Sequence, residues 1–515
     1  MAKNEPEVPK LISGNTLFHV PTTAMRSAPE VLIQELMKFV FFENTKRPQA
    51  QYTTPQCDGE AAFTDIEKFT INAFRGRQKD KGKNNYYYAP AYPKLTRQTW
   101  LRNKDPITVT GFLFDGPICH YFKQVDDSEN KIKKFSNKLV NSLAGDSERE
   151  FGSEKKLYKE IFTRDDNTAA CDMLSIAQAE EKLNDYLCKE MNKIDVIESA
   201  FESQLAKRIT LDFVALIDLE KEMPRLYWVS LLMGFLRVSM SMWFMHLADN
   251  IIKLEHLLSK SLNGKKTIEN TDDIGSMINH KSILIPSYLG SSNGAESHIK
   301  RWVQARIRLT LILNHLIEIN LITQGESENA LVFKSKGKES LDVDTLLRRV
   351  EAGSDDLNKF TTVLVRKCGE WPMYRNPLKV GQGKNAKEFS DVINKSEGFD
   401  ERASHCMEKT RNPHDKRRWV WRVAPGQLLL QMFVYFSFLE NSGDKETKRG
   451  LILKDIEDHF HCYGIDFTQA ADGRKLLIDR LAVVGLLESS PDAGECIKVN
   501  SPFTTPTSNP YDSDH

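Results

Sequence analysis

The sequence predicts a mainly α protein with three folded parts: an N-terminal α+β domain, a central helical bundle and a small C-terminal helical domain closed by a hairpin. Three observations carry this. Residues 169–219, and again 299–322, carry apolar side chains at the three- and four-residue steps of helices with one buried face. Residues 107–122, ITVTGFLFDGPICHYF, are dense in β-branched and aromatic side chains and are broken by Asp115-Gly116-Pro117, which reads as two strands and a turn. After residue 425, three apolar segments of helical period precede the turn sequence Pro491-Asp492-Ala493-Gly494. A length of 515 residues suits roughly three domains of about 100–200 residues each.

Residues 1–14 read as a polar, flexible arm, and no apolar core of a signal peptide is expected there. The α+β domain, 15–165, opens with a helix over 28–42, in which Val31, Leu32, Leu36, Phe39 and Val40 share a face, Ser27 caps and Pro29 sits in the first turn. In the bundle, 166–370, Leu183, Tyr186, Leu187, Met191, Ile194, Ile197, Phe201 and Leu205 form an apolar stripe. Residues 226–252 are apolar for long enough to cross a bilayer. Arg237 lies near their centre, however, and a central Arg costs at least about 2.5–3.5 kcal/mol in lipid. The segment therefore reads as a buried core helix with Arg237 paired to a carboxylate. Leu231, Phe235, Met242 and Phe244 should be buried in one bundle with Leu309 and Ile312 of the next helix, 299–322. A linker, 371–422, contains Pro372, Pro377, Gly381 and Gly383 and ends in a basic run. The C-terminal domain spans 423–501, and a tail rich in Pro, Thr, Ser and Asp, 502–515, is expected to be disordered.

Lys and Arg number 71, and so do Asp and Glu, so the whole molecule offers no net field for nucleic acid or membrane. Eight dispersed cysteines with no C-x-x-C pair read as reduced thiols in a cytoplasmic protein with no membrane association.

The C-terminal helices are expected at 425–440, 453–463 and 470–487, the last leaving through Gly485-Leu486-Leu487. Residues 488–499 then make a hairpin. Helix, helix, helix, hairpin resembles the winged-helix family over about 423–501. That resemblance implies either duplex DNA, with the third helix in the groove, or a protein-contact module. The third helix offers Arg474, Lys475 and Arg480, but also Asp472 and Asp479. Being adjacent, Arg474 and Lys475 cannot share a face. The build of the whole chain is similar, loosely, to accessory subunits of bacterial restriction and phage-defence operons. This implies antiviral defence and protein partners that supply ATPase or nuclease activity.

Two local basic runs point to nucleic acid. Residues 75–104 hold nine Lys or Arg against Asp80 alone, with Tyr86, Tyr87, Tyr88, Tyr92 and Trp100 interleaved. Arg75, Arg77, Lys79, Lys81, Lys83 and Tyr87 are the candidate contacts there. Cations neutralise phosphates while aromatic faces stack on bases. Residues 409–422, KTRNPHDKRRWVWR, hold six cations against Asp415, with Trp419 and Trp421. Arg411, Arg417 and Arg418 are the candidates, and the alternating tryptophans also suit a strand or a packed linker.

Other motifs fail on geometry. Asp492, Glu495 and Lys498 are too closely spaced to converge on a metal, and the wing explains them. Gly381-x-Gly383 lacks a βαβ unit, and Asn263-Gly264-Lys265 lacks the first glycine and preceding strand of a phosphate loop. His459 and His461 point to different faces of a helix. No catalytic residues, metal or cofactor are therefore expected. The leading expectation is a non-catalytic DNA-binding or scaffold subunit of a multi-protein complex. The alternatives are a helical protein-interaction adaptor, and an enzyme with a site dispersed in the N-terminal domain.

Overall fold

A computed structural model describes residues 110–144, 176–193, 204–262, 294–318, 323–326, 331–334, 366–369, 372–379, 405–411, 415–442, 451–468, 472–487 and 497–503, together with Leu36, Phe39, Val40 and Leu364. Most of these residues are helical. A π-helical segment, Thr110–Ile118, kinks at Gly116 and runs into α1, Cys119–Gln124. Next come α2 (Ser128–Ala144), α3 (Ile176–Lys193) and α4 (Gln204–Asp218). A 3-10 turn, Leu219–Glu222, leads to α5 (Arg225–Leu262), which packs along α6 (Gly294–Glu318). Strands β1 (Thr323–Glu326) and β2 (Leu331–Lys334) pair antiparallel, and α7 is the single turn Pro372–Arg375. A second antiparallel hairpin joins β3 (Met407–Arg411) to β4 (Trp419–Val423). The chain then forms α8 (Gln427–Ser442), α9 (Leu453–Cys462) and α10 (Gly473–Val484).

The strands expected within 107–122 are replaced by helix over the described residues 110–122, broken by the kink at Gly116. Phe112, Leu113, Phe114, Ile118, Cys119, Tyr121 and Phe122 are all buried. A short helix enclosed on several sides needs apolar side chains all round, and over such a run its composition cannot be told from that of a strand. Gly116 is required for close approach, since a Cβ there would stand 2.5 Å from Nε1 of Trp243. Phe39 reaches this layer, its ring 4.8 Å from Tyr186 and 5.7 Å from Phe114, as expected of the inward face of a helix over 28–42.

Helix α5 has 38 residues. Every position from 231 to 245 is buried, including Leu231, Phe235, Met242 and Phe244, and so are Leu309 and Ile312 on α6. The apolarity that would suit a bilayer is met by protein. Arg237 is buried in the middle of the helix and acts on Cys406, whose thiol burial pushes up to about 12 against the pull of that charge. Trp228 donates its indole N–H to the carbonyl of Leu216 at 2.8 Å, tying the start of α5 to α4. One apolar core runs from Leu36 through the central helices to Val499.

The C-terminal helices join this core through a polar cluster, buried at Asp212, His459 and Tyr463 and open to solvent at Glu440. Asp212 on α4 is fully buried. Its Oδ2 accepts from Nε2 of His459 at 3.0 Å and from the hydroxyl of Tyr463 at 2.7 Å, both at the end of α9. Arg208, one turn earlier on α4, donates two hydrogen bonds to Glu440 on α8, at 2.6 and 2.7 Å. Burial works against ionising Glu440, but His459 and the Arg208 fork outweigh it and hold its pKa at about 2. A buried charge needs its partners, because an orphaned donor in a dry interior has no water to turn to. Helix α9 begins with the N–H of Ile452 donating to Asp455 at 2.9 Å. Helix α10 ends on Gly485 in the left-handed region, φ 77°, where Leu486 N–H closes back on the Leu481 carbonyl. Beyond it, isolated antiparallel bridges join Leu487 to Val499 and Ile452 to Lys498.

Replacing Asp212 by Ala strands two buried donors and should destabilise the fold by about 2–5 kcal/mol. Asp212→Asn, which keeps an acceptor, should be milder, as urea denaturation of the two variants would measure. The depressed Glu440 adds a pH dependence of known sign. Its contribution is complete above the usual carboxylate range, near pH 4.3, and is lost as pH falls towards about 2. Urea midpoints taken down the acid limb should therefore fall less steeply for Glu440→Gln than for the parent chain.

Candidate nucleic-acid interface

The second basic run folds as the β3–β4 hairpin. Its register pairs Met407 with Val423, Lys409 with Trp421 and Arg411 with Trp419. Directly opposite residues of an antiparallel pair share a face, and successive residues alternate. One face therefore carries, from base to tip, a buried apolar rung and then two rungs that each set a cation opposite a tryptophan. Met407 and Val423 are buried, Lys409 and Arg411 are exposed, and Trp421 is half-buried against the core. Trp419, at the outermost rung, is 47% exposed, and the Arg411 guanidinium lies 4.0 Å from its ring centroid. The other face pairs Glu408 with Arg422 and Thr410 with Val420.

Asp415 shapes the tip. Its side chain accepts from the N–H of Arg417 at 3.1 Å, its carbonyl accepts from the N–H of Arg418 at 2.9 Å, and its carboxylate meets Nε of Arg418 at 3.2 Å. The single acid of the run thus builds the turn, and Lys416, Arg417 and Arg418 stay exposed around it.

The base is pinned by Glu408. Arg422 from β4 and Arg480 from α10 both reach Oε1 of this carboxylate at 2.6 Å. Burial would raise the Glu408 pKa, but the two guanidinium groups win and hold it below the usual carboxylate range. The hairpin is therefore fastened to α10 and is not a free arm. Its backbone also returns to the core, with Ala424 N–H donating to Cys406 and Gly426 N–H to His405.

The residues expected to bind nucleic acid are placed unequally. Arg411, Arg417 and Arg418 come together on the exposed half of the hairpin. Arg480 faces inward to Glu408, and Nε of Arg474 meets the buried Glu457 of α9 at 3.0 Å. Lys475 is exposed on α10, beside the exposed acids Asp472 and Asp479. Arg75, Arg77, Lys79, Lys81, Lys83 and Tyr87 lie outside the described residues. Sequence reasoning noted Trp419 and Trp421 beside the basic run but did not count Lys409, Lys416, Trp419 or the anchor Glu408 among the candidate contacts. The alternation in Lys409-Thr-Arg411 and Trp419-Val-Trp421 was the available signal for the shared face. His459 lies in the buried joint and His461 is exposed, so the two histidines do part company across the helix.

No protein-family model, curated protein or solved structure matches this chain.

Removing the anchor should loosen the hairpin without unfolding the protein, because Arg422 and Arg480 can both reach water. For Glu408→Ala we expect a loss of about 1–3 kcal/mol and faster amide exchange over 407–423, read by hydrogen–deuterium exchange. Unchanged protection across β3 and β4 would show that the carboxylate does not hold the hairpin.

Proposed function

We propose that this chain is a non-catalytic DNA-binding scaffold whose principal contact is the β3–β4 hairpin, with a winged-helix domain as its mount. The observation that carries this reading is the pairing of exposed cations with an exposed tryptophan on a hairpin pinned at its base. Exposed cations displace counterions from phosphates. A pinned hairpin presents them with little ordering cost on binding.

The winged-helix reading is supported by the order α8, α9, α10 and then the bridges of residues 487, 498 and 499. Within that domain the third helix is a poor electrostatic reader. Arg474 and Arg480 are turned to Glu457 and Glu408, and the exposed charges Asp472, Lys475 and Asp479 nearly cancel. Phosphate contacts from the hairpin position a strand without reading its bases, so sequence preference should be weak. In this reading the chain works in the cytosol and holds DNA for a partner that supplies any ATPase or nuclease step.

The test is a salt titration with a labelled duplex that carries a single-stranded tail. Lys416, Arg417 and Arg418 together changed to Glu should weaken binding and flatten the plot of log K against log salt. The slope should fall by roughly 0.7–0.9 for each phosphate that the variant no longer neutralises. The same titration on Lys79, Lys81 and Lys83 changed to Glu measures the share of the first basic run, and weaker binding is again expected. Full affinity and an unchanged slope in the hairpin variant would remove the hairpin from the interface. A parent chain that binds no DNA would leave the protein-interaction adaptor as the better reading.

A further inference from the structure

We propose that Trp419 is a stacking platform for an unpaired base, so that the hairpin takes single-stranded DNA in preference to continuous duplex. This rests on the reading of the hairpin as a DNA contact and specifies what it holds.

Among the described residues the exposed large hydrophobic side chains are Ile176, Trp419 and Val483. Of these, Trp419 is the aromatic one, and it stands where the cations are. Alternation along β4 puts Val420, which is buried, on the other face, and leaves Trp419 at the outer, exposed end of the face whose base, Met407 and Val423, meets the core. Exposure of an indole forgoes burial of a large apolar surface. Here the ring is instead propped by the Arg411 guanidinium, 4.0 Å from its centroid. Arg411 also keeps its charge at the surface, next to Lys416, Arg417 and Arg418 at the tip. Ring and cations together match a nucleotide: an aromatic face for the base and positive charge for the phosphate beside it.

Duplex DNA serves this pair badly. Its bases are already stacked on one another, and opening a step to admit a side chain costs a few kcal/mol. A single strand presents base faces without that cost, and stacking on an aromatic side chain tolerates any base. The neighbouring rung repeats the arrangement with Lys409 opposite Trp421. Since Trp421 is half-buried against the core, the outer rung is the one open to a ligand.

The experiment compares the parent chain, Trp419→Ala and Trp419→Phe on three labelled probes: a blunt duplex, the same duplex with a single-stranded tail, and that duplex with an abasic tail. Trp419 is exposed, so the variants should keep the parent's denaturation midpoint, which serves as the folding control. Trp419→Ala should lose roughly 5- to 100-fold affinity for the normal tail. Its affinity for the blunt duplex should be unchanged, and Trp419→Phe should recover most of the loss. The parent chain should bind the abasic tail about as weakly as Trp419→Ala binds the normal one. An equal loss on blunt and tailed probes, or no loss on either, overturns the platform. If Trp419→Ala binds the tail normally while the cation-reversed variant does not, the hairpin remains a DNA contact and only the stacking claim falls. If the parent chain binds none of the probes, the reading of the hairpin as a DNA contact falls as well. Tighter binding of an RNA tail than of its DNA counterpart would overturn the choice of DNA.

Discussion

The structure depends on buried carboxylates that each join one element to the next. Asp212 on α4 takes His459 and Tyr463 and so joins the central helices to α9. Glu457 on α9 meets Arg474 of α10, and Glu408 on β3 receives Arg480 of α10 and Arg422 of β4. A line of polar contacts thus runs from the bundle to the root of the exposed hairpin. Apolar adhesion between these elements is large but non-directional, and it would tolerate many sliding arrangements. An acid buried with its donors tolerates few, because each misplaced donor is left dry. The core holds the parts together, and the carboxylates decide how they sit.

That division of labour explains why counting cations misleads at the third helix. Arg474, Lys475 and Arg480 lie close together in the sequence and suggest a basic helix. In the fold, two of the three answer buried glutamates on neighbouring elements. An arginine can cover apolar surface with its stem and still reach an acid in a crevice, so its presence on a helix says little about where its charge emerges. On the hairpin the balance is opposite. The one acid of its basic run, Asp415, is used to shape the turn, and among the described residues the cations around it are not paired with a buried acid, apart from Arg422, which meets Glu408 at the base. The run 409–422 is already richer in cations than the third helix by sequence, and the inward ion pairs of Arg474 and Arg480 widen that difference at the surface.

The joint at Asp212 also bears on how the chain is divided. The core is continuous from the central helices into the C-terminal ones, and Phe235 of α5 packs edge-on against Phe436 of α8 at 6.2 Å. A hairpin mounted on such a base moves with the bundle. Any partner that grips the central helices would therefore also set the direction in which Trp419 and its cations face.

Much of this was legible in the sequence. The 3.6-residue period of α3, α4 and α6, the burial of Leu231, Phe235, Met242, Phe244, Leu309 and Ile312, and the glycine stop of α10 at Gly485 are local or patterned properties. Residues 110–122 were misread because enclosure on several sides erases the period that separates helix from strand. The basic run 409–422 was visible as charge, and its alternating tryptophans hinted at a strand. The pairing of Arg411 with Trp419 was not visible, because cross-strand register is set by a turn and by what the base of the hairpin packs on. The partners of Asp212 were equally hidden, since His459 lies 247 residues away in the chain. The sequence alone determined which residues avoid water and which local conformation they prefer, because those follow from side-chain chemistry and near neighbours. Only the tertiary structure decided which charges face inward, because that depends on which distant acid is buried within reach of each arginine.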